Sequence, residues 1–332
     1  MNNTNKLQAN ITAVGKYVPE QIITNYDFEK IVDTSNDWIV SRTGIQERRK
    51  ITKGKASVYM ATKAVINILE NKEINPEEID AIIVATITPD MFFPSCACLI
   101  QKEIGAVNAW GFDLSAACSG FVFALETASN MIQSDKYKKI IVVGVDTMSS
   151  ILDYKDRNTS VLFGDGAGAV LVEPSKNNGI IDSIMKIDGH GGKFLYMPGG
   201  GSLNPSTKKT IQNNLHYVKQ DGASVFKRAV KGMIDITSEI MKKNNINKNN
   251  LDLFIAHQAN KRIIELVSNK LELNNNQVFI NIDKYANTTA ATIPICIEEI
   301  YSQNLLNCGD NVIITAFGAG YSWGATFFKW SL

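Results

Sequence analysis

Apolar residues in this chain fall into short continuous runs, set between longer stretches where they recur every three or four positions. The runs Ile79–Thr86, Lys139–Val145, Ala167–Val172, Leu251–His257 and Asn311–Phe317 predict buried strands. The stretches Val58–Glu70, Gly120–Ser134 and Val225–Lys243 have helical spacing. Strands alternating with helices predict an α/β fold with largely parallel sheets.

The pattern also recurs at a fixed offset. Asp80 and Asp252 stand 172 positions apart, each near the start of a strand. At the same offset Val58 falls on Val230, both in helices, and Glu73-Ile74-Asn75 falls on Asn245-Ile246-Asn247. Lys139-Ile140-Ile141 falls on Asn311-Val312-Ile313, and Gly144 on Ala316. Several landmarks in one register predict two similar halves, 1–173 and 174–332. Duplicated α/β halves place their functional loops in a shared cleft, outside the carboxyl ends of the strands.

Candidate chemistry concentrates at those strand ends. Cys118, in GFDLSAACSGFVFALET (111–127), follows a short strand and opens a long apolar helix. A helix N-terminus favours the thiolate. The other reading is a buried structural Cys in a tight turn. His257 ends the run Leu251–His257 just before a new helix, where it is either catalytic or a cap. Asn287 lies in YANTTAATIP (285–294), the counterpart of the Cys118 turn, since Cys118 falls on Ala290. Asn287 is otherwise a good N-cap. The glycines of AFGAGYSWG (316–324) allow a tight turn whose N–H groups can face an anion.

Composition narrows the options. The chain has 332 residues, 45% hydrophobic and 20% charged, with 34 Lys plus Arg against 33 Asp plus Glu. A net charge of +1 is not that of a protein built to neutralise nucleic-acid phosphates. No apolar stretch suggests a leader or a membrane span. The five cysteines, at Cys96, Cys98, Cys118, Cys296 and Cys308, lack metal or redox spacing, which predicts no metal site and a reduced, cytoplasmic protein. Gly164–Ala169 (GDGAGA) fits a dinucleotide fingerprint but runs into a strand rather than a helix, so nucleotide binding is rejected. PGGGS (198–202) has no following Lys-Ser or Lys-Thr and is no phosphate loop.

Longer motifs occur in order: Asp37-Trp38-Ile39, Arg42-Thr43-Gly44-Ile45, Glu47-Arg48-Arg49, Phe93-Pro94-Ser95, DLSAACSGF (113–121), FGDGAGA (163–169), HQAN (257–260), NTTAATIP (287–294), FGAG (317–320) and SWGA (322–325). With these the chain resembles the β-ketoacyl-(acyl-carrier-protein) synthase III family, over nearly its whole length. The resemblance implies a thiolase-like fold, two similar halves in αβαβα layers, and a homodimer. It implies an acyltransferase that condenses a short acyl-CoA with malonyl-acyl-carrier protein, without metal or other cofactor. Cys118 matches the nucleophile, His257 and Asn287 its catalytic partners, and the backbone N–H groups of Cys118 and Ala319 the oxyanion hole. Trp38 and Arg157 match residues that sandwich the CoA adenine, and Arg42 another CoA contact. Gly222 and Asn260 lie along the pantetheine channel, and Phe93 matches a residue that closes the other subunit's acyl pocket. Lys227 and Arg262 match docking positions for the acidic carrier protein, with Lys261 and Arg228 beside them in a basic patch, while Lys231 reads as an ordinary solvated helix face.

Ala286 stands where the family has Gly, so a positive φ there would be strained. Hydroxymethylglutaryl-CoA synthase-like chemistry needs a Glu acid/base, and none stands in DLSAACSGF, HQAN or NTTAATIP. Chain elongation lacks a second His at Asn287. A secondary-metabolism acyltransferase and a Cys-His-Asn hydrolase stay open as alternatives.

Overall fold

A computed structural model describes residues 7–176 and 178–332. Nine strands form its two main sheets: β1 (Gln8–Tyr17), β2 (Ala81–Ala85), β3 (Trp110–Leu114), β4 (Ile140–Asp146), β5 (Gly166–Ser175), β6 (Ile180–Ile187), β7 (Leu253–Ala256), β8 (Asn311–Gly318) and β9 (Ser322–Lys329). The longer helices are α1 (Asn36–Thr43), α2 (Ser57–Asn71), α3 (Cys96–Ile104), α4 (Gly120–Gln133), α5 (Gly222–Lys243), α6 (Lys261–Lys270) and α7 (Thr292–Ser302). The first sheet runs in the order β1-β5-β4-β2-β3 and the second β7-β8-β9-β6. Every strand of the first sheet ends at or before Ser175, and the strands of the second run from Ile180 onward.

Strand alternation builds the layers. On β2, Ile83 and Ala85 face the middle of the molecule while Ile82 and Val84 face α2 and α3. On β7, Leu253 and Ile255 point inward while Phe254 and Ala256 pack with α5 and α6. The middle layer is α4 and α7, whose Phe121, Leu125, Ile293 and Ile297 fill the space between the sheets. The resulting order is helices, sheet, helices, sheet, helices. Burial on both sides explains why the strands read as continuous apolar runs rather than alternating ones.

The expectation of largely parallel sheets holds only in part. β4, β2 and β3 are parallel, as are β7 and β8. β5 runs antiparallel to both β1 and β4, and β9 antiparallel to both β8 and β6. The reason is connection length: β8 and β9 pair from Gly318 and Ser322, and so short a link cannot carry the crossover a parallel pair needs. Helix α5 starts at Gly222, ahead of the expected Val225, because Asp221 caps it by accepting from Ser224 N at 3.1 Å.

No helix among the described residues is long and apolar enough to cross a membrane. Among them, no group of three or more His, Cys, Asp or Glu side chains is arranged to hold a metal ion.

Candidate active site

Cys118 sits in a single 3-10 turn, Ala117–Ser119, between β3 and α4. The turn opens with Ala117 at φ 47°, a left-handed backbone that aims the next side chain out of the strand direction. A matching turn, Thr289–Ala291, opens α7, and there Thr289 has φ 52°. Gly318 at the end of β8 presses on the Cys118 turn: a Cβ on it would lie 2.9 Å from Ala116 O and from Cys118 N. Only glycine lets the last turn approach so closely. Ser322 spans the two segments, with its hydroxyl 3.0 Å from Ala116 O, 3.1 Å from Ala319 O and 2.7 Å from the Ser119 hydroxyl. It thereby keeps the Cys118 turn and the Ala319 turn in fixed register.

Asn287 is held by its neighbours. Its N–H donates to Leu162 O at 3.0 Å, its carbonyl accepts from Gly164 N at 3.1 Å, and its side-chain Oδ1 accepts from Thr289 N at 2.8 Å. With Oδ1 taken, the amide NH2 is the group left to face a ligand. This also accounts for the glycines of FGDGAGA. A Cβ on Gly164 would meet Tyr285 O at 2.5 Å, and one on Gly168 would meet Ile295 N at 2.8 Å, so these glycines serve close packing against the Asn287 loop and α7. Asp146, at the end of β4, ties the halves together: its carboxylate accepts from Thr88 Oγ1 at 2.8 Å, from Ile87 N at 2.8 Å and from the Thr289 hydroxyl.

His257 follows β7 and is buried, with Nδ1 2.7 Å from Thr292 Oγ1 and Nε2 without a partner among the described residues. Burial pushes its pKa down to about 3, so the ring is neutral. Cys118 departs from the expectation of a helix-stabilised thiolate. Burial, and then the Asp146 carboxylate, push the thiol up to about 12, against a smaller opposite pull from its own N–H. Desolvation outweighs the helix end here.

Two cavities meet at Cys118. The first, about 510 Å³, brings Cys118, His257 and Asn287 together with Trp38, Arg42, Gly222 and Asn260. The second, about 450 Å³, has Cys118 and Ala319 in its wall, with an apolar lining that includes Met148, Ile151, Leu195 and Val218. Sequence reasoning missed these four; they lie in and after a 3-10 turn, in a two-residue strand and in a loop, with no common spacing. Phe93 lines neither of these cavities within a single chain and is exposed beside Phe92 and Met91.

The CoA candidates are arranged less simply. Arg157 lies directly over the Trp38 ring, 5.1 Å from its centroid, and donates to Asp33 O at 2.7 Å. The two stack on each other, and an adenine would have to part them. Asn260 caps α6 by accepting from Arg262 N at 2.9 Å and donates to Arg42 O at 2.9 Å, so much of its side chain is already engaged. In the basic patch, Arg228 is paired with Asp188 at 2.8 Å and Lys231 with Asp235 at 2.7 Å. Lys261 lies 3.8 Å from Glu265. Arg262 lies over the ring of Phe226, a wall residue of the first cavity, and Lys227 has no ion pair among the described residues.

Comparison with known proteins places this arrangement. Residues 112–189 match the 3-oxoacyl-(acyl-carrier-protein) synthase III family, and residues 241–330 match its C-terminal part. A β-ketoacyl-(acyl-carrier-protein) synthase III of Koribacter versatilis is 49% identical over 331 residues, covering 99% of each chain. The chain belongs to this family. A relative of the same name from Chlorobium phaeobacteroides is 48% identical, covering 98% of this chain and all of that one (100%). The crystal structure of 3-oxoacyl-(acyl-carrier-protein) synthase III from Aquifex aeolicus superposes with a TM-score of 0.90 at 40% identity, covering 97% of this chain and 100% of that one. The fold is the thiolase-like fold, and the chain is an acyltransferase-class enzyme.

Proposed function

We propose that this enzyme condenses a short acyl-CoA with malonyl-acyl-carrier protein, giving 3-oxoacyl-carrier protein, CoA and CO₂. The carrying observation is that Cys118, His257 and Asn287 share one cavity, beside a second apolar cavity that opens at the same sulfur. In the first half-reaction Cys118 Sγ bonds to the thioester carbonyl carbon. The oxyanion receives hydrogen bonds from the N–H groups of Cys118 and Ala319. The carbon–sulfur bond to CoA then breaks, and the thiol proton passes to the departing CoA sulfur.

In the second half-reaction the malonyl carboxylate leaves as CO₂, and its bonding pair becomes an enolate. His257 and the Asn287 amide donate to the enolate oxygen, where charge develops. The neutral ring suits this role, because an imidazolium would protonate the carbanion. The enolate carbon attacks acyl-Cys118, the carbon–sulfur bond breaks, and the released thiolate takes a proton from solvent. Each step is assigned to this chain's own groups, and no resident cofactor is invoked.

The same reading assigns Trp38, Arg42, Arg157, Gly222 and Asn260 to the CoA and pantetheine path, and Lys227, Lys261 and Arg262 to carrier docking. It takes the enzyme as a cytoplasmic homodimer in which Phe93 closes the other subunit's acyl pocket, and it takes 1–173 and 174–332 as two related halves. One assay tests it: acyl-CoA with malonyl-acyl-carrier protein, followed for CO₂ and for the 3-oxoacyl product. Equal release of both supports the reading. Free acid without CO₂ would instead mark a thioester hydrolase.

A further inference from the structure

His257 can donate to an enolate only if its single ring proton sits on Nε2. A buried neutral imidazole does not choose this by itself; the choice belongs to whatever meets Nδ1. Here that is Thr292 Oγ1, at 2.7 Å, on the first residue of α7. Among the described residues the hydroxyl has one other acceptor in reach, Thr289 O at 3.1 Å. That carbonyl already accepts the Thr292 backbone N–H, which closes the 3-10 turn before α7. The hydroxyl proton is therefore not needed there and is better placed on the shorter contact, at Nδ1. We propose that Thr292 is a positioning residue that fixes His257 as the Nε2–H tautomer by donating from Oγ1 to Nδ1.

The turn around it is buried and hydrogen-bonded. Thr292, Thr289, Asn287 and His257 are all buried, and Thr289 N donates to Asn287 Oδ1 at 2.8 Å. One turn thus orients both donors: Thr289 N leaves the Asn287 amide NH2 facing the cavity, and Thr292 leaves the His257 Nε2–H facing it. Cys118 acylation does not call on His257, so losing the Thr292 hydroxyl should affect the two half-reactions unequally.

The inference rests on the enolate-stabilising role proposed for His257, but its first test needs no substrate. Long-range nitrogen–proton spectra of protein labelled with ¹⁵N-histidine report the tautomer at pH 7. The three histidines are separated by a His257→Gln control. The wild type should show His257 as Nε2–H. Thr292→Val, which keeps the shape and removes the hydroxyl, should move its nitrogen shifts toward a mixed or Nδ1–H form, and Thr292→Ser should restore them. In single-turnover assays Thr292→Val should slow malonyl decarboxylation by about 10- to 100-fold, less than deleting a donor outright. It should leave acylation by acyl-CoA much less affected. A wild-type Nδ1–H tautomer, or a Thr292→Val protein with unchanged shifts and unchanged decarboxylation, would overturn the proposal. If Thr292→Val does not fold, the wild-type tautomer and the Thr292→Ser shifts decide it. A correct tautomer without any condensation would count against the proposed function and leave the role of Thr292 standing.

Discussion

Ala286 precedes Asn287 with φ 55° and ψ −155°, a region that only glycine enters freely, and its methyl is buried. Replacing it with Gly has opposing effects. Strain of about 1–3 kcal/mol is released. Against this, the unfolded chain gains freedom worth about 0.4–1 kcal/mol. A buried methyl worth about 0.8 kcal/mol is also lost. With strain near the middle of its range, Ala286→Gly should leave stability within about 1 kcal/mol of the parent. Ala124→Gly is the control: Ala124 is buried in the middle of α4, where there is no strain to release. It should lose about 2 kcal/mol from helix propensity and the lost methyl together. Urea unfolding, compared at equal slope, gives both values. If Ala286→Gly lost as much stability as Ala124→Gly, the strain at Ala286 would be disproved.

The remaining predictions concern charge. His257 is neutral down to about pH 3 when folded but takes up a proton near 6.5 when unfolded, so the unfolded state binds more protons as pH falls. Stability from this group is therefore intact at pH 7 and lost between about 6.5 and 3, with about 2 kcal/mol gone by pH 5. Denaturation midpoints at pH 7 and pH 5 should differ less in His257→Gln than in the parent; an equal difference would contradict the buried neutral ring. Reversing charge at Lys227 and Arg262 together should raise the KM for the carrier protein at low salt, leave kcat nearly unchanged, and lose its effect as salt is added. An unchanged KM at low salt would remove these residues from the docking surface.

The layered fold was legible because its strands are short runs buried on both faces, whereas an outer helix such as α5 buries one face at helical spacing. Cys118, His257 and Asn287 were legible because each ends a strand or opens a helix, and such positions converge in a duplicated α/β fold. Thr292, Asp146 and Ser322 were not. A Thr, Asp or Ser in a small-residue turn has no spacing that reveals its partner, and their partners lie 35, 143 and 203 positions away. The Cys118 thiol was misjudged for a related reason: a helix end is visible in sequence, whereas the burial that outweighs it depends on how β8 and α7 close over the turn. The antiparallel β8–β9 pair did have a signal, the short glycine-containing turn, which favours a hairpin over a crossover.

The central claim, that the acyl group passes through Cys118, is tested most directly by intact-protein mass. On mixing with an acyl-CoA, the enzyme should gain the mass of one acyl group, located to Cys118 by peptide mapping and absent in Cys118→Ala. Adding malonyl-acyl-carrier protein should remove that mass as 3-oxoacyl-carrier protein and CO₂ appear. Condensation at the parent rate by Cys118→Ala, or an acyl mass on Cys118 that malonyl-acyl-carrier protein fails to discharge, would contradict the account.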